Sequence, residues 1–434
     1  MNIIHIVSNK MINPENILVS KNTINSPLES YDSVLNSFWK SNKNKFIVKE
    51  IGISNLEDWI FDTQKNLVHK SNAFFKLTGV KEQNYSSGIL LQDEIGTLGI
   101  LCCMYKGVLH FLIQFKQEPG NILQAQLSPT LQATLSNQNK KHGGKVPKYI
   151  NYFQNVDKKN IVIQKNLPEQ GSRYWKKYNN NIVVSTEFFE PDENYKWMTL
   201  GQIFKFSEID SSINSCLRSV LSLIYSFLYN EKTQEIDNKI SEIKTKITTT
   251  AQLQDSVINF YDEIDDKFVF PDRKKQFYVV GVSIEISNRE VSSWSQPLIV
   301  EANLNDYTLI SIIFNNERYY LLNIEEKPGY KFGFVFGITA INNEYSLELG
   351  EQLNLTKLKL INKINMSEEG GRFLHTKINK SFYEIEVEDL TFHFKKFVLV
   401  NDGEINRINS LGLLSMEARS MLFFSKYVYK KLEL

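Results

Sequence analysis

The stretch Gln114–Asn137, QFKQEPGNILQAQLSPTLQATLSN, decides how this chain is read, because a worn copy of it lies further along. Glu118-Pro119-Gly120 aligns with Lys327-Pro328-Gly329 at an offset of 209 (327 − 118). The same offset places Gly88 on Pro297, Gln92 on Glu301, Gln114 on Asn323 and Thr130 on Thr339. Glu169-Gln170-Gly171-Ser172-Arg173-Tyr174 matches Glu368-Glu369-Gly370-Gly371-Arg372-Phe373 at 199 (368 − 169), and Arg218-Ser219 matches Arg419-Ser420 at 201 (419 − 218). Landmarks that recur in one order with small drifts in spacing indicate a duplicated domain. The first copy is rich in polar groups where the second is apolar or blank, so one copy is expected to work.

A chain of 434 residues then divides into two domains of just under 200 residues, each large enough to bury its own core. The expected layout is an irregular lead-in over 1–38, a first repeat over 39–231, a linker helix over 232–250 and a second repeat over 251–434. Fifty basic against 49 acidic side chains argue against a nucleic-acid binder or a polybasic membrane protein, and leave room for a local basic pocket. Cys102, Cys103 and Cys216 are odd in number and two are adjacent, so no disulfide framework is read and a reducing cytoplasm is expected. The N-terminus lacks a basic-then-apolar signal design, and no apolar run approaches the length of a membrane span.

Along the chain, Phe38–Leu67 has helical character, with Leu56, Trp59 and Ile60 on one face, and Lys70–Val80 reads as a strand. Ile89–Leu91, Leu98–Tyr105 and Val108–Lys116 are β-rich runs separated by turn residues, a meander of strands. The next strand, Ile122–Leu127, stops at Ser128-Pro129-Thr130, since proline cannot donate to a ladder. A helix is expected over Leu200–Asn230. Ile236, Ile240, Ile243 and Ile247 form a narrow apolar stripe that suits either packing on the chain's own domains or a helix shared with a second subunit. The second copy repeats the order, with a helix near Leu253–Ile264, a strand at Phe277–Ser287, a meander over Leu298–Ile324 and a final helix from Ser415.

Several absences narrow the chemistry. The six histidines form no HExxH pattern, the cysteines lack zinc spacing, and neither a dinucleotide-binding glycine motif, a phosphate loop nor a Gly-x-Ser-x-Gly elbow occurs. No cofactor and no metal are expected. What remains is a polar cluster in the first copy. Gln124 and Gln126 share one strand face, which suits a solvated face or a pocket for a polar ligand. Glu118 could be a general base or cap its turn. Arg173 could grip a diphosphate with its planar fork or pair with Glu169. His142-Gly143-Gly144-Lys145 could hold phosphate or be an ordinary basic loop. Trp59, Trp175, Trp197 and Trp294 are more often core than stacking platforms.

Five segments of the first copy resemble the nucleotide-hexose 2,3-dehydratase family of deoxysugar biosynthesis: His69-Lys70-Ser71-Asn72-Ala73-Phe74-Phe75, Gln92–Gly99, Glu118–Asn121, Gln126–Thr134 and Glu169–Tyr174. Trp294-Ser295-Gln296-Pro297-Leu298 and Ser367–Phe373 resemble that family's second half, and the likeness spans roughly residues 39 to 430. The resemblance implies an α+β fold of two tandem Nudix-like domains, each a mixed sheet flanked by helices, in a homodimer. The ancestral Nudix metal box is absent: Arg289-Glu290, the sole Arg-Glu, lacks the following acids. It also implies a dTDP-4-keto-6-deoxyhexose substrate that loses water across carbons 2 and 3.

The chain departs from the family pattern at Tyr85-Ser86-Ser87-Gly88, where Trp-x-Gln-Pro is usual, and at Asn179-Asn180-Asn181, where Asn-Arg-Asn is usual. Gly337-Ile338-Thr339-Ala340 stands opposite Ser128-Pro129-Thr130-Leu131, as a degenerate second pocket would.

Such a dehydration needs one base, one acid, donors for a developing enolate and cations for the diphosphate. Glu118 is the first choice for base or acid, ahead of Glu169, Tyr149 and His142. Arg173, Lys116 and Lys145 are the diphosphate and oxyanion candidates. His69, Gln92, Gln114, Gln126, Thr130, Gln132, Ser136 and Asn137 are the further substrate contacts, and Trp294, Gln296 and Arg372 line the second pocket. A nucleotide-sugar hydrolase is disfavoured by the missing glutamates, and a non-catalytic nucleotide-sugar binder is the alternative from another class. The diketo product is reactive, so a downstream ketoreductase is an expected partner.

Overall fold

The computed structural model describes residues 11–428 apart from 83–84, 139–144, 225–233, 248–250, 255, 273–274, 288–290, 302–304 and 343. It is an α+β fold in which two large mixed sheets have the same topology. In the first, the strand order is Ile161–Pro168, Tyr178–Ser185, Gly96–Tyr105, Val108–Gln117 and Tyr195–Met198. Ala125–Ser128 pairs with Val108–Gln117, and Leu131–Ala133 with Gly96–Tyr105. In the second, the order is Lys359–Ser367, Lys377–Glu386, Asn305–Phe314, Glu317–Glu326 and Phe397–Val400, with Phe334–Gly337 and Ala340–Ile341 added at the corresponding places. Each sheet has its parallel pair at the same point, Tyr178–Ser185 beside Gly96–Tyr105 and Lys377–Glu386 beside Asn305–Phe314. The central strands read as near-continuous apolar runs because both faces are covered. Ile100 and Cys102 face one apolar cluster, and Leu101 and Cys103 another.

The two halves do not keep to themselves. Phe46–Ile51, from the first, pairs along Lys275–Ile286 of the second, and Gln252–Gln254 pairs back onto Lys76–Glu82. The Pro-Gly turns make the same exchange. Gly120 donates its N–H to the Gly370 carbonyl at 2.7 Å and accepts from the His375 N–H at 2.9 Å. Gly329 donates to the Gly171 carbonyl at 2.9 Å and accepts from the Lys176 N–H at 2.8 Å. A β-carbon on Gly120 would lie 1.7 Å from the Phe373 carbonyl oxygen, so only glycine permits this docking. Helices Ser215–Ser222 and Met416–Val428 meet between the sheets, each carrying a fully buried arginine. Arg218 Nη2 donates to the Ser367 carbonyl at 2.9 Å, and Arg419 Nη2 to the Pro168 carbonyl at 2.7 Å, each on the opposite half. The largest apolar cluster takes Phe111, Val183 and Leu217 from one half and Phe336, Phe382 and Leu422 from the other. This cluster runs across both halves, while the other face of each large sheet carries a smaller cluster of its own.

Other expectations are corrected by the structure. The lead-in contains helices Pro14–Asn22, capped by the Asn13 side chain with proline in its first turn, and Tyr31–Ser41, capped by Ser30. Phe38–Leu67 is not one helix: strands begin at Phe46, and Trp59 is buried while its neighbour Ile60 is exposed, an alternation suited to a strand. The strand expected over Lys70–Val80 begins only at Lys76 and continues to Glu82. The helix expected over Leu200–Asn230 is broken into Leu200–Phe206 and Ser215–Ser222, with residues beyond 224 outside those described. Leu253–Ile264 holds short strands and a single 3-10 turn. The linker helix forms at Gln234–Lys246, and its Ile236 and Ile240 are buried in the chain's own core. Cys102, Cys103 and Cys216 are buried free thiols. Among the described residues no helix is long and apolar enough to cross a membrane.

Candidate active site

A cavity of about 660 Å³ opens between the halves, floored by the Glu118-Pro119 turn and by the Glu369–Arg372 loop on which that turn docks. The docking explains the composition of the site, since it carries second-half side chains to the first-half sheet. Glu118 leaves the end of strand Val108–Gln117 and is almost fully buried. Lys116 lies one residue pair earlier on the same strand face, with Nζ 3.5 Å from Glu118 Oε1 and donating to the Gln132 carbonyl at 3.1 Å. Gln132 Nε2 donates to Glu118 Oε1 and to Glu369 Oε1, each at 3.0 Å. Burial first, and then the neighbouring Glu118 carboxylate, push the Glu369 carboxyl up to about 7.

A second group of titratable side chains lines the wall contributed by the loop after Ile161–Pro168. Glu169 Oε1 accepts from Asn179 Nδ2 at 2.6 Å, and burial raises its carboxyl above the usual range. Lys177 donates to the Glu94 carbonyl, and burial lowers its ammonium to about 8. Gln92 Nε2 donates to Glu94 Oε1 at 2.7 Å, and Ser136 Oγ to Glu94 Oε2 at 2.8 Å, which holds this wall in place. At the rim, His69 Nδ1 lies 2.7 Å from Ser71 Oγ, and its ring meets Phe74 edge-on.

Trp294, Gln296 and Arg372 do not form a separate pocket; they line this same cavity. Gln296 Nε2 donates to the Gly371 carbonyl at 3.0 Å and its Oε1 accepts from Trp294 Nε1 at 2.8 Å. The Arg372 guanidinium lies over the Phe75 ring at 4.5 Å and, among the described residues, its buried Nε has no hydrogen-bond partner. The residue pattern was read within each half, whereas the Pro-Gly docking exchanges these walls between halves. For the same reason the departure at Tyr85-Ser86-Ser87-Gly88 falls outside this cavity, where Tyr85, Ser87 and Gly88 line a broad groove instead.

Of the expected site residues, the cavity collects Glu118, Glu169, His69, Gln92, Lys116 and Gln132 with the second-half trio. It does not collect several others. Tyr149 bonds Asp192 through its hydroxyl at 3.0 Å, away from the cavity. Gln126 is buried and donates to the Ser211 carbonyl and Ser367 Oγ, both at 2.6 Å, tying the halves together. Thr130 is buried, accepting from the Leu101 N–H at 3.0 Å and donating to the Leu112 carbonyl. Gln114 sits in the strand ladder between Ser128 and Tyr195, Ser136 acts behind the wall through Glu94, and Lys145 is exposed. His142 and the Asn137 side chain lie outside the described residues.

Arg173 faces a smaller cavity of about 230 Å³ at the corresponding junction of the other two walls. There it is neutralised: Glu301, which occupies the place of Gln92, accepts from Arg173 Nε at 2.8 Å and Nη2 at 3.0 Å. Lys327 stands in the place of Glu118 and pairs with Glu325, in the place of Lys116, at 2.8 Å. Sequence reasoning missed Glu369, Lys177, Asn179 and Tyr174 as cavity residues. Glu369 stood inside a matched motif, but nothing in one half's pattern says that its loop faces the other half.

Paired buried carboxylates with lysine and arginine at one polar cavity make an acid–base site suited to an anionic, hydroxyl-bearing ligand. The model of the NDP-hexose 2,3-dehydratase family matches residues 33–224 and 263–424, and the chain belongs to that family. Among curated proteins it is similar to the dTDP-4-dehydro-6-deoxy-alpha-D-glucopyranose 2,3-dehydratase of Saccharopolyspora spinosa, 29% identical over 88% of each chain. The enzyme of the same name from Amycolatopsis orientalis is 28% identical, over 87% of this chain and 86% of its own. That from Streptomyces violaceoruber is 26% identical, over 87% and 93%.

Proposed function

We propose that this chain converts dTDP-4-keto-6-deoxy-D-glucose to dTDP-3,4-diketo-2,6-dideoxy-D-glucose by removing water across carbons 2 and 3. The observation that carries this reading is the buried Glu118, with Lys116 at 3.5 Å, in a cavity that also presents Arg372. The similarity to dehydratases along nearly the whole chain names the substrate class. The carbon-3 hydrogen is acidified by the carbon-4 ketone, so a carboxylate can remove it if the enolate oxygen meets preorganised donors. Glu118 takes that proton. Lys116 and Lys177 are the cations at hand for the developing oxyanion, and Arg372, with its ring-stacked guanidinium, grips the diphosphate. His69, Gln92 and Gln296 contact the sugar or base.

The matching strand order of the two large sheets supports an internal duplication of a Nudix-like unit, with one junction retained for catalysis and the other closed by its own ion pairs. We further propose a cytoplasmic homodimer whose diketo product passes to a ketoreductase. Incubation of the chelator-treated protein with dTDP-4-keto-6-deoxyglucose, followed by mass spectrometry, tests the activity. Loss of one water is the expected result; release of free nucleotide, or intact substrate, would overturn the proposal.

A further inference from the structure

Glu369 comes from the half of the chain whose pattern reads as inactive, yet it sits beside Glu118 at the floor of the cavity. The link between them is a directed one. The N–H of Leu217, in the first turn of helix Ser215–Ser222, donates to Asn214 Oδ1 at 2.8 Å. A backbone N–H can only donate, so the Asn214 amide is oriented with Nδ2 outward, where it donates to Gln132 Oε1 at 3.0 Å. Ser128 Oγ donates to the same oxygen at 2.9 Å. Gln132 must therefore turn Nε2 to the carboxylates, and its two hydrogens go one to Glu118 and one to Glu369.

Both carboxylates thus accept from one nitrogen, which puts their Oε1 atoms within about 6 Å of each other, the limit set by two 3.0 Å bonds. Gly371 leaves the space between them open: a β-carbon there would lie 2.8 Å from Glu369 Oε1 and 3.2 Å from Glu118 Oε1. The pair is not symmetric, because the Lys116 ammonium stands against Glu118. Burial and the Glu118 charge hold a proton on Glu369 up to about pH 7. Two carboxyl groups held side by side, one of them carrying its proton, are the arrangement an acid–base elimination needs.

We infer that Glu369 is the catalytic acid that protonates the carbon-2 hydroxyl as it leaves. The inference rests on the dehydratase reading. As Glu118 takes the carbon-3 proton, the C–H electron pair passes through the enolate into a carbon-2–carbon-3 double bond. The carbon-2–oxygen bond breaks with its pair on oxygen, and Glu369 supplies the proton that completes water. The remaining enol then gives its hydroxyl proton to the Glu369 carboxylate while Glu118 returns a proton to carbon 2. The diketone is formed and the pair ends as it began.

The test is to compare Glu369→Gln with the unmodified enzyme on dTDP-4-keto-6-deoxyglucose in D2O, reading carbon-3 deuterium exchange and water loss separately. Glu369→Gln should slow water loss roughly 10²- to 10⁴-fold while carbon-3 exchange continues at the wild-type rate. Should the amide disturb folding, Glu369→Asp carries the same test, with water loss slowed roughly tenfold by the retracted acid and exchange kept. Water loss at the wild-type rate in a folded variant overturns the assignment. So does equal loss of exchange and water loss in a variant that still binds dTDP. A wild-type enzyme that performs neither reaction would overturn the dehydratase reading itself, and this assignment with it.

Discussion

Glu118 and Glu369, from opposite halves of the chain, each accept one hydrogen of the Gln132 side-chain nitrogen at 3.0 Å. The contact exists because the Glu-Pro-Gly turn of the first half docks on the Glu-Glu-Gly-Gly-Arg loop of the second, through the Gly120 N–H and the Gly370 carbonyl. Neither half holds a complete site alone. At the other junction the same docking brings Lys327 and Arg173 together with carboxylates that neutralise them.

Replacing Gln132 by Met keeps the volume but removes the amide hydrogens, leaving two buried carboxylates without their shared donor. Hydrogen bonds to a carboxylate favour its charged form, so their loss raises the Glu369 carboxyl further, and Glu118 loses the donor that positions it. Turnover should fall about 10²-fold and its alkaline decline should move to higher pH, which a kcat–pH profile would read. An unchanged profile would separate Gln132 from the pair.

Gly371→Ala places a β-carbon 2.8 Å from Glu369 Oε1 and 3.2 Å from Glu118 Oε1. The carboxylates must move apart, and a misplacement of this size costs catalysis about 10²-fold. Thermal unfolding should shift by only a few degrees, since side chains rather than backbone yield. Kinetics and a melting curve on one preparation check both statements.

The two arginines should separate binding from stability. Arg372→Ala is expected to raise KM roughly 10- to 100-fold with kcat little changed, as loss of a uniform diphosphate contact does. Arg173→Ala strands the Glu301 carboxylate in a nearly buried position and should cost about 3 kcal/mol in urea unfolding. Replacing both partners, Arg173→Met with Glu301→Gln, should restore stability to within about 1 kcal/mol.

An acid that must carry its proton makes activity fall as pH rises through its pKa. Glu369 titrates at about 7, so the wild-type kcat profile should decline above neutrality, and the residual activity of Glu369→Gln should lack that limb. The charged groups around Glu369 are Glu118 and Lys116 on the opposite loop and strand, Arg372 on its own loop, and on the facing wall Glu169 and Lys177, whose ammonium burial lowers to about 8. Of these, burial raises the Glu169 carboxyl above the usual range. A decline that persists in Glu369→Gln would assign the limb elsewhere.

Much of this architecture is legible in the chain. The strands Gly96–Tyr105 and Val108–Gln117 follow from their apolar runs and the Lys106-Gly107 turn, and the linker helix follows from its isoleucine spacing. Leu56, Trp59 and Ile60 mislead because a three-four spacing mimics a helix face over so short a span, whereas Trp59 is buried and Ile60 exposed on a strand. The helix Pro14–Asn22 was signalled by Asn13-Pro14-Glu15, a cap, a first-turn proline and an acid. The site is harder. Gln126 and Thr130 alternate with apolar residues as pocket residues would, but Gln126 ties the halves together through Ser367 and Thr130 bonds within its own sheet to Leu101 and Leu112. Trp294, Gln296, Glu369 and Arg372 belong with Glu118 only because strands and turns are exchanged across the molecule, and periodicity does not specify a strand's partner.

The most direct measurement follows dTDP-4-keto-6-deoxyglucose with wild-type enzyme and Glu118→Gln side by side in D2O, by NMR of sugar carbons 2 and 3. Wild type should exchange carbon 3 and yield a product deuterated at carbon 2 with one water lost, and Glu118→Gln should do neither. Water loss undiminished in Glu118→Gln, or none in wild type, would contradict a dehydration driven from the cavity between the halves.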